Sequence, residues 1–172
     1  FKRLYFDSDG DALIIESDTN GQDASAPVTA DTNWHHYAII ISGVDGGSAS
    51  TVTMYEDGAA ISVTNTNFGT STADLTLNRI GDDNADGNQA FKGLLFQVAI
   101  YDILLGGDEI ERIYNSGDPI PLEENSGKYI TSLSLQNLWK FTEGTGTSVA
   151  DSGGLNRTGT ITNATWSSTT PS

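Results

Sequence analysis

The pattern of apolar and polar positions in this chain is that of β-strands almost throughout, and the rest is organised around Trp34 to Ala60. Trp34 to Ser42 is aromatic and β-branched, with no Gly or Pro, and predicts a strand suited to a packed, pleated surface. Gly43 to Ser50 is a Gly/Ser/Asp loop. Thr51 to Glu56 predicts the partner strand, with Val52, Met54 and Glu56 on one face and Thr51, Thr53 and Tyr55 on the other. Asp57-Gly58 follows at once, a dipeptide that accepts the positive φ of a tight hairpin turn, and Ala60 to Val63 leads away.

The pattern recurs on both sides of this hairpin. Leu4 to Phe6 and Ala12 to Glu16 predict a hairpin about Asp9-Gly10. The triplet Asp7, Asp9, Asp11 lacks the Gly placement and terminal Glu of an EF-hand loop and reads as an ordinary turn. Ser17 to Asn33 is a polar loop with at most one short strand near Pro27-Val28-Thr29. Ser62 to Asn67 and Ala73 to Gly81 predict further strands, and Phe91 to Asp102 a long one buried on both faces. Asp108 to Asn115 has helical spacing, with Ile110, Ile113 and Tyr114 on one side, Asp108 and Glu109 at the positive end of the dipole, and Gly117 placed to stop it. A stiff, then polar, connection follows from Asp118 to Gly127. Ser134 to Phe141 and Thr158 to Thr162 are later strands separated by a Gly/Thr/Ser loop. Strands with one apolar face need a second sheet to cover them, so the pattern predicts an all-β sandwich with one short helix near 108-115.

Composition narrows the functional classes. The chain has 172 residues, room for one domain with a sizeable core. Against 8 Lys and Arg stand 23 Asp and Glu, a net charge of -15, which repels phosphate backbones and anionic membranes and argues against nucleic-acid binding. Cysteine is absent, so there is no disulfide, thiolate nucleophile or Cys-based zinc site. The longest apolar run, Gly93 to Leu105, is broken by Gln97 and Asp102 and is too short for membrane insertion as a helix. The opening Phe1-Lys2-Arg3 suggests a processed or truncated form of something longer. Hard oxygen ligands are densest at Asp82, Asp83, Asn84, Asp86 and Asn88, on a Gly-bearing loop between two predicted strands. Calcium takes such ligands, and the alternative is a solvated turn whose side chains cap their own backbone. His35 and His36 are adjacent, so in a strand they point to opposite faces and cannot grip one metal or serve one triad. Asn156-Arg157-Thr158 and Asn163-Ala164-Thr165 fit the glycosylation acceptor pattern, which chance explains in a Thr/Asn-rich tail.

Several motifs, in order, carry a resemblance. Asn33-Trp34-His35-His36-Tyr37-Ala38, Met54-Tyr55-Glu56-Asp57-Gly58, Phe91-Lys92-Gly93-Leu94-Leu95, Val98-Ala99-Ile100-Tyr101-Asp102 and Glu109-Ile110-Glu111-Arg112-Ile113-Tyr114 resemble the second half of a laminin-G-like, concanavalin-A-like domain. Phe96-Gln97 departs from the acidic pair usual there. Leu138 to Thr147, Val149 to Gly154 and Gly159 to Trp166 are similar to the way such domains begin. The resemblance implies a two-sheet antiparallel jelly-roll sandwich with its opening segment placed last, as in a circularly permuted form resembling those in marine bacteriophage structural proteins. On that reading 1-117 holds the later strands, 118-132 is a connection, and 133-172 completes the sandwich in its own or a neighbouring chain. The competing explanation, a second copy of the domain that starts and is cut off, leaves two or three strands that cannot bury both faces alone. Family glucanases carry an E-x-D-x-E strand, and none occurs here, so no enzymatic activity is expected. The expectation is a non-enzymatic surface module of a virion or extracellular assembly, partnered by other protein subunits. The alternative is a calcium-dependent carbohydrate-binding module that meets cell-surface glycans, with Tyr101, Tyr129, Trp139 and Trp166 as available rings.

Overall fold

The computed structural model describes residues 3–6, 10–16, 23–42, 50–64, 67–68, 79–81 and 91–171. Strands in antiparallel sheets with one short α-helix make up its regular structure, the architecture of a β-sandwich of the jelly-roll class. It divides into two units, Phe1–Lys92 and Gly93–Ser172.

In the first unit, β1 (Arg3–Phe6), β2 (Ala12–Glu16) and β3 (Asp23–Pro27) form one antiparallel sheet in that order. Leu13 and Ile15 of β2 are buried while their neighbours are less so, as a period of two requires. β3 lies earlier than the strand expected near Pro27-Val28-Thr29. Its core face is Ala24 and Ala26, residues of low strand propensity, and pairing with β2 in register Ile15 to Ala24 supplies the order that composition does not.

A second sheet runs β4 (Tyr37–Ser42), β5 (Ser50–Glu56), β6 (Ala59–Ile61), with β7 (Asn67–Phe68) also pairing with β5. Asp57 (φ 50°) and Gly58 (φ 78°) make the β5–β6 turn, both in the left-handed region that a two-residue hairpin of this hand needs. Leu13, Ile15, Ala24, Ala26, Val28, Val52 and Met54 form one buried cluster, so residues of both sheets share a core. The strand expected from Trp34 starts only at Tyr37. His35 and His36 are held instead by hydrogen bonds to the carboxylates of Asp31 and Asp57. The strand expected at Ala73 to Gly81 lies outside the described residues except for its end, where 79–81 are not in a strand.

The second unit pairs β8 (Val98–Tyr101) with β9 (Leu135–Trp139), bringing the strand expected at Ser134 to Phe141 beside one before the helix. The long strand expected from Phe91 is shorter than predicted. Leu94 and Leu95 are exposed, and Gln97 at φ 50° turns the backbone out of the extended region just before Val98. The helix α1 (Gly107–Tyr114) is found where the spacing placed it. Asn115, not Gly117, ends it, in the left-handed conformation (φ 47°) with its N–H on the Glu111 carbonyl. Glu109 accepts from the Gly106 N–H at 3.1 Å and so closes the helix start. Ile120, Leu122, Tyr129, Leu135 and Leu138 form the buried cluster, with Ile113 of α1 packed on it. Short strands β10 (Ser148–Val149) and β11 (Gly159–Thr160) pair beyond.

Met54 is fully buried at the centre of the shared core in the first unit. Met54→Ala is expected to lower stability by about 2–5 kcal/mol, read by urea unfolding, with no change in secondary structure by circular dichroism.

Candidate functional site

The polar centre of the first unit is built from residues 31–37 and the β5–β6 turn. His35 Nδ1 lies 2.8 Å from Asp57 Oδ2, and His35 Nε2 lies 3.0 Å from Asp31 Oδ1. Glu56 Oε1 stands 3.7 Å from the same Nδ1. A carboxylate only accepts, so both contacts are hydrogen bonds at once only when both ring nitrogens carry protons. Burial works against the charge on His35, but the hydrogen bonds from Asp57 and Asp31 outweigh it and hold the imidazole above its ordinary range. His36 goes the other way, lowered by burial and only partly offset by Asp57.

Each carboxylate is fixed from more than one side. Asp57 Oδ1 accepts the His36 N–H at 2.9 Å, and the Asp57 N–H donates to the His36 carbonyl at 2.8 Å. Glu56 Oε1 accepts the Thr29 N–H at 2.8 Å and the Tyr37 hydroxyl at 3.1 Å. Asp31 accepts the Asn33 backbone and side-chain amides at 2.6 and 2.7 Å. The cluster leaves the imidazolium of His35 no lone pair with which to take a proton from a substrate, so its chemistry is that of a tie between segments. Spacing alone pointed the two histidines to opposite faces of a strand. Neither is in a strand: Asp57, distant in sequence, and Asp31, four residues before it, both hydrogen-bond to His35.

A second carboxylate, not singled out from the sequence, organises the end of the other unit. Asp151 is buried, and its Oδ1 accepts the Leu138 and Gly153 N–H groups at 2.7 and 2.8 Å. Its Oδ2 accepts Asn137 Nδ2 at 2.6 Å and the Arg157 N–H at 2.7 Å. Burial raises its pKa, but the four donors outweigh that and leave it depressed. Gly153 lets the loop lie against β9, since a Cβ there would come 2.5 Å from Asn137 Cα. The Asp-Ser-Gly-Gly run was the available signal, and it serves to bind the loop to the strand.

The rings considered for sugar stacking have other duties. Tyr129 is fully buried and donates to the Leu122 carbonyl at 2.8 Å, which leaves its oxygen to accept from Tyr101 at 3.0 Å. Burial, then this hydrogen bond, pushes the Tyr101 hydroxyl far up. Trp139 is buried with its indole N–H on the Arg157 carbonyl at 2.8 Å, and half-buried Trp166 donates to the Gly146 carbonyl at 2.8 Å. The oxygen-ligand loop of Asp82, Asp83, Asn84, Asp86 and Asn88 lies outside the described residues. Its neck does not: the Phe91 N–H donates to the Gly81 carbonyl at 2.7 Å. Among the described residues there is no group of three or more His, Asp or Glu side chains disposed to hold a metal, and no helix long and apolar enough to cross a membrane.

Asp151→Ala leaves four donors without their acceptor, two of them buried, and is expected to cost about 3 kcal/mol at neutral pH by urea unfolding. Because the folded-state pKa is depressed, the contribution is present above the ordinary carboxylate range and lost as pH falls through the folded value. The gap between native and variant protein therefore narrows on acidification.

These placements meet the comparison with known families. The model of the concanavalin A-like lectin/glucanases superfamily, in its laminin-G form, matches residues 2–111, from the first hairpin through most of α1. No curated protein and no solved structure matches the chain. The matched region takes in the His35–Asp57 cluster, the β5–β6 turn and β8, and over the larger part of its length the protein belongs to the concanavalin A-like lectin/glucanase superfamily.

Proposed function

We propose that the protein is a non-enzymatic surface module of a virion or other extracellular assembly, with a decoration, fibre or adhesion role, held to other protein subunits. The observation that carries this reading is a group of large apolar side chains left in solvent on the second unit. Leu133 is 98% exposed, Ile130 67%, Leu104 59% and Ile103 43%. Ile103 and Leu104 follow β8 and Leu133 precedes β9, where the Asp102 N–H donates to the Ser134 carbonyl at 3.2 Å, and the Ile130 N–H donates to Glu109 Oε1 of α1 at 3.2 Å. Exposed apolar groups of this kind mark contact surfaces, and covering them with another subunit removes that area from water at about 25 cal/mol per Å2. The family supports it too, since its domains are β-sandwich modules that often bind carbohydrates or proteins at cell surfaces and outside cells. The pairing of β8 with β9 supports the permuted arrangement, in which 133-172 supplies opening strands to the later strands of 1-117 across the connection 118-132.

Native mass spectrometry and light scattering are expected to find the chain in oligomers or bound to a neighbouring subunit. The pair Leu104→Asp and Leu133→Asp is expected to shift it to monomer while leaving its unfolding curve within about 0.5 kcal/mol, as surface substitutions do. A well-folded native monomer with no partner overturns the assembly reading.

A second reading rests on the Gly81–Phe91 neck. The segment between these two residues carries three carboxylates and two asparagine amides, hard oxygen donors of the type calcium takes. On this reading Asp82, Asp83, Asn84, Asp86 and Asn88 hold calcium, and the loop presents a glycan-binding rim. Calcium titration calorimetry is expected to show a site that Asp83→Ala and Asp86→Ala together abolish. A glycan array with and without EDTA then separates a calcium-dependent sugar site from a calcium site alone, and no heat on titration retires the reading.

A further inference from the structure

We infer that His35 is a proton-operated latch: as imidazolium it ties the tip of the 29–33 loop to the β5–β6 turn, and on losing its Nε2 proton it lets that tip go. This goes beyond the role in an assembly and stands on contacts within the first unit alone.

The loop leaves the core at Val28, which is buried and donates to the Asp11 carbonyl at 2.8 Å. Its base is pinned again one residue on, by the Thr29 N–H to Glu56 Oε1 bond at 2.8 Å. From Thr29 to Asn33 every residue is exposed. Within the loop Asp31 accepts from Asn33, and its bond outward is to His35 Nε2 at 3.0 Å. The groups facing the imidazole are therefore Asp31 from the loop, Glu56 from β5, Asp57 from the turn and the Tyr37 ring from β4, whose centroid is 6.1 Å away. All the charges among them are negative, and no Lys or Arg ion pair with these groups occurs among the described residues.

The two arms of the latch are unequal. On the turn side the Nδ1 proton faces Asp57 at 2.8 Å and Glu56 at 3.7 Å, and Asp57 is itself locked to the His36 backbone. On the loop side a single, more exposed carboxylate stands at 3.0 Å. When one proton leaves, Nδ1 keeps its own and Nε2 becomes a lone pair aimed at a carboxylate, which is repulsive. The loop arm opens and the turn arm stays. Since the folded-state pKa is raised, the tie is fully present below the ordinary histidine range and is lost as pH rises through the folded value.

Long-range nitrogen-detected NMR of the histidine rings in the full chain, titrated with pH, tests this. The expected result is a His35 midpoint above that of His36 and above the ordinary histidine value, a neutral form protonated on Nδ1, and amide signals of residues 31–33 that follow the His35 midpoint while those of 57–58 move far less. Asp31→Asn, a change at an exposed position, is expected to lower the His35 midpoint by roughly half a pH unit and to uncouple the loop amides from it. A His35 midpoint at or below the ordinary value, a neutral form protonated on Nε2, or loop amides indifferent to the titration in the native protein overturns the latch without needing any variant. An Asp31→Asn midpoint equal to the native one overturns it as well.

Discussion

The first unit depends on two sheets coming close enough to share a core, and small side chains make that approach available. Ala24 and Ala26 on β3 are wholly buried, as is Met54 on β5, with Leu13, Ile15 and Val52 completing the cluster. Alternating large and small residues on facing layers lets them interdigitate at interior packing density, where two rows of Leu or Ile would hold the sheets apart. The position of β3, the register of β2 and the depth of Met54 follow from that one fit. A weakly strand-forming run such as Asp23-Ala24-Ser25-Ala26 becomes a core strand only because its neighbour presents Leu13 and Ile15 to the same interior.

Carboxylates outnumber cationic side chains heavily in this chain, and Asp151, Asp57 and Glu56 draw on donors other than Lys and Arg side chains. Asp151 takes four, three of them from the backbone, and so clasps 138, 153 and 157 round the end of β9. Asp57 and Glu56 take backbone and hydroxyl donors, and a histidine supplies the one cation shared between the loop and the turn. Amide donors do not titrate and imidazole does. One physical solution thus gives an end of β9 that is insensitive to mild changes of pH and a loop tip that is not.

Local chemistry carried much of this architecture in plain view. Asp57-Gly58 could be read as a turn because few other dipeptides tolerate left-handed backbone twice in succession, and the β5 faces could be read because alternation is a property of the strand itself. The α1 helix was legible from Ile110, Ile113 and the acids of its first turn. Family membership followed from several such local motifs standing in order.

Other features depend on partners remote in sequence, and no local window contains them. His35-His36 has strand composition, yet Asp57, from the turn after β5, draws both residues into a polar tie before β4 begins. Phe91 to Gln97 is apolar enough for a strand, yet with Gln97 turned left-handed it is irregular and exposes Leu94 and Leu95. Asp151 looked like one more acid in a Gly/Ser loop until β9 lay beside it. Periodicity and turn chemistry act over a few residues and are written in the chain order. Which carboxylate meets which donor, and which apolar run finds a sheet, is settled only when distant segments compete for the same neighbours in space.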